Sequence, residues 1–297
     1  MKFGDGTGNI NVGANKEITL YVMLPQQNLS TCTDLAVELY GIETAYYRSK
    51  MYIAYLNGKD IKGGKAYGWK ANLKEYEPVS TIGAGKRVQF SKGNLWWDGS
   101  NYHFEQKQTD YPTSWNTSHI GHFWWTSLKD YKTGNAEYMP YALTFSKSGF
   151  ASDDKLFCCE ENPLTVDGVE GYYALSDEDW DYLTKTRARA KELYKYGVTV
   201  EDKKNCLVIA HDRFYGTLRD SYTLEELNAD GLTCLPAAGV RYGISFSDTE
   251  EWGYSWLSSV NGDGERSWGV YFNDSQVYSN YSYRSFARSI RLVKQDK

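Results

Sequence analysis

The sequence has little cysteine and lacks the cysteine spacing that binds metal. Five cysteines occur among 297 residues, two of them adjacent as Cys158 and Cys159, and there is no Cys-x-x-Cys pair. An odd number with an adjacent pair argues against a dense disulfide framework, and the missing pair argues against a zinc ribbon or a thioredoxin-like site. We therefore predict that the cysteines are small, buried apolar residues.

Long apolar runs and charge runs are missing too. No window approaches about 18 consecutive apolar residues, so we predict no membrane-spanning helix and no direct membrane insertion by this chain. The net charge is only −5 and like charges do not cluster, so neither nucleic acid nor an anionic membrane surface is an expected partner. Residues 1–8 contain no apolar signal-peptide core, so we expect any export signal to lie outside this chain.

Aromatic residues, by contrast, are abundant. They make up 16% of the chain and tyrosine occurs 26 times, which favours β-rich structure because aromatic side chains pack well on pleated strands. The length of 297 residues predicts about two domains, each large enough to bury a core.

The first part of the chain has the alternating pattern of β-strands. Residues 74–85 then lose this alternation and gather charge, proline and glycine, which is typical of a linker. We place the boundary here and predict domains at 1–80 and 81–297. The strands predicted before it are residues 16–24, 34–41, 45–56 and 65–73.

The second part mixes strands with a few capped helices. Residues 87–91 and 94–97 are predicted to pair with 102–106 across a two-residue Asp98-Gly99 turn. Ser176 and Thr223 each precede an acidic residue at the third helical position, a capping box that begins a helix. This mixture predicts the α+β class with a mixed or antiparallel sheet. Further strands are predicted at residues 206–210, 233–236, 268–272 and 289–293.

Five motifs in the second part resemble a known family. They are Ala174-Leu-Ser-Asp-Glu-Asp-Trp180, Cys206-Leu-Val-Ile209, Leu235-Pro-Ala-Ala-Gly-Val-Arg-Tyr-Gly243, Gly253-Tyr-Ser-Trp-Leu-Ser-Ser259 and Ser289-Ile-Arg-Leu-Val293. In this order they resemble the bacterial major paralogous domain proteins over residues 86–293. That group is similar to the C-type-lectin-like fold of formylglycine-generating enzymes and of the variable proteins of diversity-generating retroelements. The resemblance implies a C-type-lectin-like domain.

The first part resembles a different family. Residues 17–28 and 63–73 are similar to the closing strands of a fimbrillin-family β-domain. This resemblance implies that a small all-β fimbrillin-like segment precedes the C-type-lectin-like domain and serves as a stalk or docking module.

Residues 267–286 combine rigid aromatic side chains with small polar ones. Tyr, Ser and Asn supply 11 of these 20 residues, a mixture that gives large contact area with few rotors to freeze. In the retroelement variable proteins that the chain resembles, the diversified positions correspond to residues 254–286. Trp252, Trp256 and Arg291 are predicted to be framework. The predicted ligand contacts are Tyr254, Leu257, Trp268, Val270, Asn273, Ser275, Tyr278, Asn280, Tyr281 and Tyr283.

The strand alternation makes this prediction more specific. Trp268, Val270 and Phe272 are expected on one face, with Gly269 and Tyr271 on the other. Residues 274–286 are expected to form a loop that gathers its aromatic side chains beside Trp268. The alternative is an ordinary β-rich domain in which these tyrosines lie half-buried on strands.

Catalytic and metal sites have little support in the sequence. Formylglycine-generating enzymes use cysteines near the C-terminal end of the domain, but none follows Cys234 here, so we predict no enzymatic activity. His119 and His122 could present two imidazoles to a metal, but the aromatic residues around them favour a packed irregular segment. Residues 272–274 imitate half of a lectin calcium motif and supply too few oxygens. We predict no cofactor and no metal.

Together these patterns predict a non-enzymatic binding or adhesion protein. The resemblances imply that it is displayed on a bacterial cell surface and that a retroelement diversifies its binding face. Its expected partners are a protein or glycan ligand on another cell or host surface, and other pilus subunits. Two alternatives remain open: a structural pilus subunit, and a carbohydrate-binding lectin.

Overall fold

The computed structural model describes residues 36–41, 50–55, 74–76, 78–145, 149, 151–261 and 265–296. Strands far outnumber helices among them, in keeping with a β-rich α+β fold. The chain divides into two compact units, one of Met1–Glu38 with Ile53–Lys74 and one of Leu39–Tyr52 with Glu75–Lys297. Within the described residues, none of the helices has the length and apolarity needed to cross a membrane.

The first three strands form one sheet. β1 (Ala36–Gly41), β2 (Lys50–Tyr55) and β3 (Lys74–Tyr76) lie in the order β1-β2-β3. β1 and β2 fall within the strands predicted at 34–41 and 45–56. The strands predicted at 16–24 and 65–73 lie outside the described residues.

A five-stranded sheet joins distant parts of the second unit in the order β4-β5-β19-β9-β8. The predicted linker at 74–85 is partly strand: β3 covers Lys74–Tyr76, and β4, which pairs with β5, covers Ser80–Gly83. Ser80 and Ile82 alternate with half-buried neighbours and are themselves buried, so this short stretch keeps a strand pattern despite its proline and glycines. The boundary predicted after residue 80 therefore falls within β4. The strands are β4 (Ser80–Gly83), β5 (Lys86–Phe90), β8 (Leu164–Val166), β9 (Val169–Ala174) and β19 (Leu292–Gln295).

The predicted hairpin is present in part. β6 (Leu95–Trp97) pairs with β7 (Tyr102–Phe104), but the loop between them has four residues, because Asp98 Oδ1 accepts hydrogen bonds from the backbone N–H of Ser100 and Asn101. Residues 87–91 do not join this hairpin, since β5 pairs with β4 and β19.

The helices are short, and their starts match the sequence. Ser176 and Thr223 form the predicted capping boxes with Asp179 and Glu226, which satisfy backbone N–H groups in the first turn. The helices are α1 (Leu128–Thr133), α2 (Asp177–Asp181), which continues into a π-helical turn (Tyr182–Thr186), and α3 (Leu224–Ala229).

A four-stranded sheet has the order β12-β10-β11-β13, and β11 and β13 confirm the strands predicted at 206–210 and 233–236. Cys206 and Cys234 lie on these strands, and they are buried and free like Cys158 and Cys159, as predicted; Cys32 lies outside the described residues. The strands are β10 (Tyr194–Val200), β11 (Lys203–Ile209), β12 (Ser221–Tyr222) and β13 (Thr233–Leu235).

The C-terminal strands form a two-stranded and a three-stranded antiparallel sheet, β14-β15 and β16-β17-β18. β17 confirms the strand predicted at 268–272. The loop predicted at 274–286 is wrong, because only Asp274 and Ser275 separate the paired residues Asn273 and Gln276, and β18 follows at once. The strands are β14 (Val240–Tyr242), β15 (Ser245–Ser247), β16 (Gly253–Val260), β17 (Arg266–Phe272) and β18 (Val277–Tyr283).

Candidate ligand-binding site

One face of the β16–β18 sheet carries a row of three tyrosines. Tyr254 on β16 lies opposite Tyr271 on β17, which lies opposite Tyr278 on β18. Residues directly opposite each other in an antiparallel sheet project from the same face, so the three side chains stand side by side. We call this row, with the neighbouring Trp252, the tyrosine face.

The rings of the tyrosine face contact one another in sequence. The rings of Tyr254 and Tyr271 meet edge to face with centroids 5.4 Å apart, and those of Tyr271 and Tyr278 stack at 5.2 Å with planes 4° apart. Trp252 stacks on Tyr254 at 6.1 Å. These separations lie in the range where aromatic pairs attract beyond simple burial. Tyr278 is on the outermost strand and is 37% exposed, which leaves part of its ring open to a ligand.

A buried arginine lies against the inner end of the tyrosine face. The guanidinium carbon of Arg288 is 5.0 Å from the ring centroid of Tyr254, 4.7 Å from that of Tyr271 and 4.3 Å from that of Trp256. Its Nη2 donates to Ser282 Oγ at 2.7 Å. Burial lowers the pKa of Arg288, and the nearby tyrosines oppose that shift. Cation–π contacts of this kind are strongest where water is excluded, so Arg288 holds the rings in place.

Two further features fix this arrangement. A Cβ atom on Gly269 would lie 2.9 Å from Arg288 Nη1, so the glycine provides the space that the guanidinium occupies. At the other end, Tyr254 donates its hydroxyl to Asp248 Oδ2 at 3.1 Å. Burial, followed by the nearby Asp248 carboxylate, raises the pKa of Tyr254, so the phenol stays protonated.

The opposite face of the sheet belongs largely to the core. Trp268, Val270 and Phe272 share this face, as the alternation predicts, but Val270 and Phe272 are buried against Leu257 and Trp180. Leu257 and Val270 are therefore core residues, which corrects their prediction as ligand contacts. The error arose because the alternation shows which residues share a face but not which face packs against the rest of the domain.

The predicted contacts on β18 divide between the two faces. Tyr281 lies opposite Trp268, on the core-side face, and their rings meet edge to face at 5.6 Å. Tyr283 follows on the same side and is 56% exposed. Tyr278 and Asn280 project from the tyrosine face. The expectation that all these side chains gather beside Trp268 is wrong, because successive residues of a strand point to opposite faces.

Asn273 and Ser275 have a local structural role. The Asn273 side-chain oxygen accepts hydrogen bonds from the Ser275 backbone N–H at 2.9 Å, the Ser275 hydroxyl at 3.0 Å and the Gln276 backbone N–H at 3.0 Å. An asparagine that binds the backbone two residues later is a common turn device. The hydrogen bonds between these two residues therefore stabilise the turn between β17 and β18.

The predicted framework residues differ in burial. Trp256 is 1% exposed and donates its indole N–H to the Phe123 carbonyl at 2.9 Å. Arg291 is buried too, and its guanidinium donates to the carbonyls of Ser91, Gln108 and Cys234. Trp252 is half-buried beside the tyrosine face.

The structure brings three residues to the site that the sequence had not assigned to it: Tyr271, Arg288 and Asp248. Tyr271 could have been found from the alternation, since it lies on the opposite face from the core residue Val270. Arg288 and Asp248 come from segments outside the sheet, so no spacing in the sequence points to them.

The other candidate sites do not assemble. His119 Nε2 lies 2.6 Å from Glu105 Oε1, whereas His122 Nε2 lies 2.9 Å from the Ala238 carbonyl, so the two imidazoles have separate partners. Across the described part of the chain, no group of three or more His, Cys, Asp or Glu side chains could hold a metal ion.

Comparisons with protein-family models, with curated proteins and with solved structures found no match to this chain.

Proposed function

We propose that this chain is a non-enzymatic binding protein that recognises its ligand through the tyrosine face. The observation that carries the proposal is the register of Tyr254, Tyr271 and Tyr278, which aligns three rings across three strands and leaves the outermost ring partly open. Tyrosines presented on a rigid frame lose little conformational entropy when a ligand binds.

The remaining parts of the proposal rest on the sequence resemblances. The domain is proposed to be C-type-lectin-like, a fold for which the order of the five motifs and the β-rich α+β architecture are the support. Diversification by a retroelement is proposed for residues 254–286, which include β17 and β18. The buried positions of Trp256 and Arg291 suit a constant framework around such variable residues.

Display on a bacterial cell surface is proposed from the fimbrillin resemblance of the first part. The proposed partner is a protein or glycan on another cell or host surface. The alternatives are a structural pilus subunit and a carbohydrate-binding lectin, and the experiment below separates them from the leading proposal.

The test is a binding screen with matched tyrosine variants. The purified protein is screened against a displayed library of random linear peptides and against a glycan array. Tyr278→Ala and Tyr254→Ala are expected to weaken any binder by about 30-fold or more, as interface hot spots do. Tyr215→Ala is the control, because Tyr215 is 73% exposed and lies outside the β16–β18 sheet.

Several results would count against the proposal. Binders that are indifferent to both face variants would place recognition elsewhere, and the absence of any binder would favour the structural subunit. Glycan binders alone would favour the lectin.

A further inference from the structure

The outer edge of β18 is long and regular. β18 pairs with β17 over seven consecutive residues, from Val277 opposite Phe272 to Tyr283 opposite Arg266, without a register shift. It is the last strand in the order β16-β17-β18. A strand in this position carries a row of backbone N–H and C=O groups on its free side.

The turn shows which backbone groups face outward. The N–H of Asn273 donates to the carbonyl of Gln276 at 3.0 Å, so this pair is hydrogen-bonded across the hairpin. Bonded and non-bonded pairs alternate in an antiparallel ladder, so Tyr278 bonds to β17 whereas Val277 and Ser279 present their N–H and C=O groups outward. By the same alternation, Tyr281 and Tyr283 also present their backbone N–H and C=O groups outward.

A side-chain contact agrees with this assignment. The Asn280 side-chain oxygen accepts a hydrogen bond from the Tyr281 N–H at 2.8 Å. The N–H of Tyr281 therefore bonds to a side chain and not to β17, as expected for a group on the free edge. A ligand that binds this edge would displace the Asn280 amide.

β18 also lacks the features that usually protect a free edge. Folded proteins discourage strand addition with prolines, charged side chains, bulges or very short edge strands. β18 contains no proline and no charged residue. The other edge strands from β4 onward are four residues or shorter, except β16, which is bulged and covered by other segments.

We propose that β18 binds an extended polypeptide segment of a protein ligand, which adds to the β16–β18 sheet as a fourth strand. This inference rests on the proposed function and narrows its ligand to a protein. The outward N–H and C=O groups recur at every second residue, about 6.8 Å apart, and an extended peptide backbone offers complementary groups at the same spacing. A glycan has no such repeat.

The side chains beside this edge indicate the preferred sequence of the ligand. Tyr278 lies on one side of the added strand, and Tyr281 and Tyr283 lie on the other, with exposures of 37%, 39% and 56%. Alternate residues of the ligand would therefore pack against tyrosine on both faces. We expect the bound segment to be rich in aromatic and β-branched residues.

The experiment uses proline to block the edge. Random linear peptides selected on the wild-type protein are measured on Ser279→Pro and on the matched control Ser279→Ala. Proline is tolerated in edge strands where the N–H faces solvent, so Ser279→Pro should fold, which a thermal melt checks. We expect Ser279→Pro to weaken peptide binding about tenfold or more, and Ser279→Ala to weaken it much less.

A second measurement does not depend on the variant folding. Single N-methyl groups are placed along a selected peptide, and binding to the wild-type protein is measured for each. Strand addition predicts that methylation weakens binding strongly at every second residue and little at the residues between. A uniform or irregular pattern would overturn the proposal.

Other outcomes separate this inference from the proposed function. Binding that is lost in Tyr278→Ala but kept in Ser279→Pro would leave the tyrosine face as the site and remove the edge. Binding that is unaffected by either variant would remove both. A screen that yields glycan binders but no peptide binders would overturn the strand proposal. The proposal would also fail if the wild-type protein self-associates in sedimentation and Ser279→Pro abolishes that association.

Discussion

The two outer strands of one sheet have very different edges. On β16, the Trp256 N–H donates to the Ser289 carbonyl at 3.1 Å, the Ser258 N–H donates to the Leu175 carbonyl at 2.8 Å, and the Tyr254 carbonyl accepts from the Ser289 hydroxyl at 2.6 Å. On the free edge of β18, one backbone group has a hydrogen bond among the described residues: the Tyr281 N–H donates to the Asn280 side-chain oxygen.

This difference shows that an edge is closed by segments from elsewhere in the chain. The groups that cover β16 come from Leu175, just before α2, and from Ser289, just before β19. Because buried backbone groups must find partners, these segments complete the sheet on that side and make β16 part of the core. On the β18 side, the Ser279 hydroxyl contacts Asp181 of α2, but among the described residues no backbone group of another segment pairs with the strand. This is the edge for which strand addition is proposed.

The largest effect is expected on the covered edge. Trp256→Ala removes a fully buried ring and its hydrogen bond to Phe123, and should lower the free energy of unfolding by about 3 to 5 kcal/mol. Tyr278→Ala on the open edge removes a partly exposed ring and its stacking on Tyr271, and should lower the free energy of unfolding by only about 1 kcal/mol. Urea denaturation of both variants checks this, and a Tyr278→Ala loss as large as that of Trp256→Ala would mean that Tyr278 belongs to the core.

Proline should distinguish the two edges at matched serines. Ser258→Pro removes a buried N–H and leaves the Leu175 carbonyl without its donor, so we expect a loss of about 2 to 3 kcal/mol. Ser279→Pro removes a solvent-facing N–H and should cost less than about 1 kcal/mol. Thermal melts with calorimetry compare the two, and equal losses would refute the assignment of outward groups on β18.

A smaller contrast is expected for the hydroxyl groups alone. Ser289→Ala removes the donor to the Tyr254 carbonyl and should cost about 1 kcal/mol. Ser279→Ala removes a longer hydrogen bond, 3.3 Å from the Ser279 hydroxyl to the Asp181 carboxylate, in a part-buried position. It should lower the free energy of unfolding by about 0.5 kcal/mol or less. Chemical denaturation of the two variants measures the difference, and a reversed order would show that Asp181 anchors β18.

The smallest expected effect is a pH dependence of protein stability. It arises from His103, outside the β16–β18 sheet. His103, on β7, lies 2.8 Å from Asp167 and 3.0 Å from Asp98, and Lys92 also pairs with Asp167. Burial acts to lower the pKa of His103, but the hydrogen bonds to the two carboxylates outweigh it and raise the pKa. The stabilisation is therefore fully present below the unfolded pKa and is lost as pH rises through the folded value.

The measurement is the melting temperature across neutral pH. His103→Gln should flatten the profile on the alkaline side, whereas Ser279→Ala should leave its shape unchanged. A profile that is identical in wild type and His103→Gln would show that the imidazole contributes no pH-dependent stability.

The local structure that the sequence predicted correctly depends on neighbouring residues. The capping boxes at Ser176 and Thr223 were predictable because a hydroxyl and a carboxylate three positions apart satisfy N–H groups of the same turn. The strand at 268–272 and its alternation were also predictable, because successive residues of a strand point to opposite faces. The prediction fails where the composition of a short segment hides its strand pattern, as in β4, where nearby proline and glycine conceal the buried Ser80 and Ile82.

The candidate site was predictable in part. The sequence identified the tyrosine-rich region and two members of the tyrosine face, Tyr254 and Tyr278. It does not separate the two faces of β18, because it predicts a loop over residues 274–286. It also assigned Leu257 and Val270 to the ligand, because their burial depends on Trp180 and Leu207, which lie far away in the chain.

The sequence by itself determined the β-rich character of the chain, the starts of two helices, and an aromatic C-terminal region whose side chains alternate. Those properties follow from the chemistry of adjacent residues. Only the tertiary structure decided which face of the sheet is core, which arginine lies against the tyrosines, and which edge is closed. These depend on contacts between segments such as Leu175, Arg288 and Ser289, whose positions are set by the packing of the whole domain.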